Sequence, residues 1–178
     1  MLVMEDRRTK VITAHMMPRE GPDEYATNRL TQHIRGLGYR RIIPKSDQGL
    51  ATPAQTDSAN AATGIEVIPE ESPVGESQSN GRVERAVRTV KGQIRAKRAA
   101  IAAMFRDRGP GRHPVLSWLP RHAAASVVIY NVGKGGWTAH DRWKGKTIKR
   151  KVAEFGECVW FLKPRSRGST GLMGRWSE

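Results

Sequence analysis

At 178 residues with 31 Lys and Arg against 17 Asp and Glu, a formal charge of +14, the chain has room for one moderate core and a small appendage and is drawn to polyanions. Its lone cysteine, Cys158, excludes an internal disulfide and a Cys-rich zinc site and points to a reducing compartment. No apolar run is long enough to span a bilayer, and Glu5, Asp6, Arg7 and Arg8 occupy the place where a secretion signal needs apolar residues, so the expectation is an intracellular protein, nuclear or cytoplasmic, with no membrane partner.

Leu2–Met4 and Val11–Met17 are β-prone runs on either side of a charged turn, and read as two antiparallel strands. Asp23 is a helix N-cap, Tyr25, Ala26, Leu30, Ile34 and Leu37 recur at helical spacing, and Gly38 supplies a C-terminal cap. A strand follows over Arg40–Lys45, a second helix over Pro53–Ala62 and a short strand over Ile65–Ile68. Residues Pro69–Gly81, rich in Pro, Gly, Ser and Asn, have no apolar periodicity and are expected as an exposed, mobile loop. From about Arg82 to Arg106 the residues Val83, Val87, Val90, Ile94, Ile101 and Met104 line one face of a long helix. His113–Val132 is expected as a second long helix kinked at Pro120, followed by a turn or two of helix over Thr138–Lys144. Lys144–Lys151 is strongly basic, and Glu154–Pro164 alternates around Phe155, Val159 and Phe161 like a strand of a small barrel. The order of elements predicts an α/β fold with helices packed on a mixed sheet. The domain plan is a main unit over 1–145, a basic linker over 146–152 and a partial β-barrel-like segment over 153–178.

Charge is placed unevenly along this plan. Residues 1–81 carry 9 basic and 11 acidic side chains, whereas residues 82–178 carry 22 and 6, which assigns nucleic-acid binding to the second half. On a helical wheel Glu84, Arg88, Lys91, Arg95 and Arg98 form one stripe about a quarter-turn from the valine face. Two readings of that stripe compete: a solvated face with Glu84 pairing to Arg88, and a carboxylate followed by a ladder of phosphate contacts. Asn80, just ahead of the long helix, either caps it or touches DNA.

Two carboxylates sit where chemistry is placed in such folds. Asp47, in Ser46-Asp47-Gln48-Gly49, directly follows the strand Arg40–Lys45, at the carboxyl end where open α/β sheets hold ligands. Glu84 lies in Gln78-Ser79-Asn80-Gly81-Arg82-Val83-Glu84-Arg85, with 36 residues between the two. The Ser-Asp-x-Gly strand end, this spacing and the Asn-Gly-x-Val-Glu-Arg helix start resemble the integrase core of retroviruses and of copia-like or gypsy-like retrotransposons, over roughly residues 1–145. The resemblance implies an RNase H-like mixed sheet with flanking helices, DNA integration by strand transfer, DNA ends and target duplex as partners, a homo-oligomer, and Mg²⁺ or Mn²⁺ as cofactor. Two-metal phosphoryl transfer needs hard oxygen ligands, and by resemblance Asp47 and Glu84 are the catalytic and metal-binding residues. Asn80, Arg88, Lys91 and Arg95 are then the DNA contacts. The family's loop often carries Pro shortly before its Asn-Gly, where this chain has Glu76-Ser77-Gln78-Ser79.

A third carboxylate belongs to the family's set, on a strand preceding the one with which this sequence opens, so the fold is expected without its first strand. Asp6 resembles the family's turn between its second and third strands and is read as a turn carboxylate bonded to its own backbone. Three functions remain open: a metal-dependent integrase impaired by the lack of the first Asp, a non-catalytic basic DNA-binding remnant, and an RNase H-like nuclease. The five histidines lack zinc-site pairing and are read as structural. Trp118, Trp137, Trp143 and Trp160 are expected in packing interfaces.

Overall fold

The structure is a computed structural model that describes residues 1–17, 23–45, 57–58, 61–68, 77–104, 113–162 and 176–177. The chain divides into two compact units, residues 1–148 and 149–178.

In the first unit, strands β1 (Leu2–Glu5) and β2 (Ile12–His15) pair antiparallel, with Val3 opposite Ala14 and Glu5 opposite Ile12. The reversal between them is tight: the Asp6 N–H donates to Val11 O and the Lys10 N–H to Asp6 O, both at 2.9 Å. Lys10 takes a positive φ of 66°, a conformation that costs a non-glycine residue about 1 kcal/mol and persists where neighbouring bonds enforce it. Helix α1 (Glu24–Leu37) starts and stops as its sequence predicts. The Asp23 carboxylate accepts from the Ala26 N–H at 3.1 Å, and Gly38 closes the helix at φ 73°. Strands β3 (Arg41–Ile42) and β4 (Glu66–Val67) form a separate parallel pair, reinforced by the Arg41–Glu66 ion pair at 2.9 Å. The strand expected over Arg40–Lys45 is thus confined to its first half. Of the helix expected over Pro53–Ala62, residues 57–58 and 61–62 are helical and the rest lie outside the described residues.

Helix α2 (Ser77–Met104) is continuous but begins at Ser77, so the expected loop does not reach Gly81; its earlier part, residues 69–76, lies outside the described residues. Ser, Asn and Gly are weak helix formers, but extending a helix already fixed by burial adds a hydrogen bond per residue ordered. The buried residues Ala86 and Val90, with half-buried Ile94, face inward, while Val83 is exposed. Val83 lies within about 20° of Val90 on the helical wheel, so its exposure sets where along α2 the buried face begins and not a different face.

The segment expected as one kinked helix is two elements. A 3₁₀ turn covers Pro114–Trp118, capped by His113 Nδ1 accepting from the Val115 N–H, and helix α3 runs Leu119–Tyr130 with Pro120 in its first turn. Proline does not kink the helix there, because the first-turn N–H has no partner to lose. Helix α4 (Ala139–Lys144) is opened by a capping box: Thr138 Oγ1 accepts from the Asp141 N–H, and the Asp141 carboxylate accepts from the Thr138 N–H and hydroxyl. These hydrogen bonds hold the Asp141 carboxyl below the usual carboxylate value.

The core is built from small side chains that let the layers approach. Ala14, Val90, Ala123 and Ala124 bury together with Val3, Ile12 and Ile94 around them, joining β1–β2 to α2 and α3. A second cluster of Val11, Val128 and Ala139 packs with Ile12 and Trp143 and seats α4 on α3. Trp143 Nε1 donates to Gly36 O at 2.9 Å, and Arg142 Nε to Thr9 O at 3.0 Å, so α4 is tied both to α1 and to the β1–β2 turn. No helix among the described residues is long and apolar enough to cross a membrane.

In the second unit, the strand expected over Glu154–Pro164 is interrupted: Glu154–Glu157 is a turn, with the Glu157 N–H donating to Glu154 O and Gly156 at φ 89°. The pairing described is short, β5 (Phe161–Leu162) antiparallel to β6 (Trp176–Ser177).

Candidate nucleic-acid interface

Because Ala86 and Val90 fix which face of α2 is inward, the outward face follows from the 100° step between residues. Glu84, Arg88, Lys91, Arg95 and Arg98 lie in one row about 120° around the helix from the buried face, and all five are exposed. At 1.5 Å per residue the row extends about 21 Å. The competing reading, a Glu84–Arg88 pair, is not formed: Glu84 makes no hydrogen bond or ion pair among the described residues. The row is a line of four cations headed by a carboxylate that has no partner among the described residues.

Two further carboxylates lie near the β1–β2 reversal. Glu5, at the end of β1, is half-buried, and desolvation pushes its carboxyl up against the pull of Lys10, Arg82 and Arg85. It thus lies near Arg82 and Arg85 at the start of α2, a placement the sequence reading missed; the signal was a Glu ending an apolar strand. Asp6 has the turn role expected of it. Its Oδ2 accepts from the Thr9 N–H at 2.7 Å, from the Thr9 hydroxyl, and from the Tyr39 hydroxyl at 3.0 Å. Burial pushes the Asp6 carboxyl up, but the bonds from Thr9 and Tyr39 outweigh it and hold the group below its usual value. A depressed folded-state pKa contributes stability that is fully present above the unfolded value, about 3.9, and lost as pH falls through the folded one. Asp6→Ala is expected to cost about 2 kcal/mol at pH 7. Below about pH 3 its deficit against the wild type should shrink. Urea melts at both pH values check this, and a deficit that grows in acid would refute it.

Asp47 lies outside the described residues. Asn80 lies within α2, preceded by Ser77–Ser79 in the same helix, so it does not serve as the N-cap. Among the described residues no group of three or more His, Cys, Asp or Glu is arranged to hold a metal ion. Glu84 is a solvent-facing carboxylate with no partner among the described residues, and its oxygens are donors of the hard type. The tryptophans depart from expectation: Trp143 packs against the core, but Trp118, Trp137 and Trp160 are 60–64% exposed. Trp118 lies in the 3₁₀ turn, Trp137 follows a turn and Trp160 directly precedes β5, places where local apolar composition does not guarantee a facing layer.

The fold is similar to that of the catalytic core domain of BIV integrase, known from a crystal structure, with a TM-score of 0.52 and 20% identity over 80% of this chain and 84% of that one. No family model and no curated protein matches the sequence. The architecture is therefore α/β, of the integrase catalytic-core type.

Proposed function

We propose that the chain is an integrase-type DNA-handling protein, of the kind found in retrotransposons, whose α2 row grips the DNA backbone next to a carboxylate site. The observation that carries this is the exposed line from Glu84 to Arg98 on a helix of an integrase-like fold. Arg88, Lys91 and Arg95 neutralise phosphates, and Asn80 contacts the strand near the site. Asp47 and Glu84 would hold Mg²⁺ or Mn²⁺, which would supply charge neutralisation at the reacting phosphate. In the reaction a DNA 3′-hydroxyl attacks a phosphodiester: a new P–O bond forms, the target's P–O3′ bond breaks, and the departing 3′-oxygen takes up a proton. The chain's own residues hold the phosphate in line with the attacking oxygen. Asp6 is committed to the β1–β2 turn by Thr9 and Tyr39 and is not a metal ligand in this reading.

Binding through a phosphate ladder is driven by counterion release, so affinity for duplex DNA should fall steeply with salt and depend little on sequence. Replacing both Arg88 and Lys91 by Ala should reduce the slope of log K against log salt by about 2. Titrations between 50 and 200 mM salt, about the range where such losses are large, provide the check. An unchanged slope would remove the α2 row from the interface.

A further inference from the structure

The end of β2, helix α1, the 3₁₀ turn and the start of α3 line a half-open cavity of about 410 Å³ that the proposed DNA-binding row does not use. Its size lies near the lower end of ligand pockets, about 300–1,000 Å³, enough for one large apolar side chain and a neighbouring carboxylate. Met16 and Met17 form one wall and Trp118 and Tyr25 others, with Arg29 and Arg121 adding two guanidinium groups. Met16 and Trp118 are exposed, so apolar area stands open to water. Arg29 is already positioned: its guanidinium lies 4.9 Å from the Tyr25 ring centroid and donates to Gln32 Oε1 at 2.9 Å.

Among the described residues lining the cavity none is a carboxylate. The imprint is seen on His15, set edge-on to Tyr25 at 6.5 Å, whose pKa is pushed down to about 4 by burial and then by Arg29 and Arg121. His15 is thus a neutral, apolar-leaning wall at physiological pH.

We propose that this cavity is a docking site for an acidic segment of a partner protein, which inserts an apolar side chain between the methionines and Trp118 and sets its carboxylates on Arg29 and Arg121. The residue types match protein recognition: Trp, Tyr and Arg dominate binding hot spots, and Met forms adaptable apolar walls. The two guanidinium groups of Arg29 and Arg121 select a partner segment that carries carboxylates. Nucleic acid is disfavoured because the Tyr25 face is already covered by Arg29, leaving Trp118 as a single stacking plane.

The test is fluorescence polarisation with the full chain and a fluorescein-labelled peptide, acetyl-Glu-Asp-Leu-Phe-Asp-Glu-amide. Trp118→Ala removes no charge and alters an exposed side chain, so it should fold. It should weaken peptide binding about 10-fold or more, as should Arg121→Glu and an Ala-Ala exchange of the peptide's Leu-Phe. Arg88→Ala with Lys91→Ala should leave it unchanged. Equal affinity for the Trp118→Ala protein would mean diffuse charge attraction and overturn the proposal. It would also be overturned if a dT12 oligonucleotide, rather than the peptide, lost affinity on Trp118→Ala. Sedimentation showing a dimer abolished by Trp118→Ala would assign the cavity to a second copy instead.

Discussion

Val90→Asp is expected to leave the first unit unfolded at 25 °C. Val90 is 0% exposed and packs against Ala14, Ala123 and Ala124, where β2, α2 and α3 meet. An aspartate there either buries an unpaired charge or takes up a proton at a cost, and in both cases loses the valine's packing; the penalty is several kcal/mol. Domains of this size hold only about 5–15 kcal/mol in total. Val83→Asp, the same change two turns earlier on the same helix but at an exposed position, should cost little, about 0.5 kcal/mol or less. Circular dichroism melts of the two variants measure the contrast. A Val90→Asp protein that kept its Tm would mean that α2 does not present this face to the core.

Helices with both ends marked were legible in the sequence, and those without were not. Asp23 and Gly38 bounded α1 because their side-chain and φ requirements are local, and Thr138 with Asp141 marked α4 in the same way. The start of α2 was missed because Ser77–Gly81 has the composition of a loop, whereas its helical state depends on the anchoring of Ala86 and Val90 further along. Pro120 was misread for a related reason: a proline reads as a kink or as a first turn according to what precedes it, and here a 3₁₀ turn does. The inward face drawn through the valines holds at Val90, but Val83, two turns earlier on the same face, is exposed while Ala86 is buried, a difference that periodicity alone does not predict. At the candidate site the Glu84–Arg98 row followed from periodicity alone. The proximity of Glu5 to Arg82 and Arg85 joins β1 to α2, and no local pattern encodes it. The exposed Trp118 was likewise hidden, since apolar composition does not say whether a second layer covers it.

Strand transfer is where the carboxylates should show the largest effect. By the integrase resemblance the 178 residues hold two of three metal-binding carboxylates, Asp47 and Glu84, and Asp6 is engaged by Thr9 and Tyr39. Two carboxylates leave part of the charge of two divalent ions uncompensated and hold the reacting phosphate loosely. Misplacement costs on the order of 100-fold in rate per ångström. A polypeptide of these 178 residues is therefore expected to give little strand transfer with Mg²⁺ or Mn²⁺ on a labelled duplex. Joining ahead of Met1 a strand that carries an Asp should raise the rate, and in that extended protein Asp47→Asn or Glu84→Gln should lower it by about 100-fold or more. DNA affinity should change little in either variant, because in the proposed reading Arg88, Lys91 and Arg95 hold the phosphates. Robust transfer by the 178-residue polypeptide, lost on Asp6→Asn while the fold and DNA binding persist, would instead make Asp6 the third ligand. It would require the β1–β2 turn to release its hydrogen bonds on binding metal.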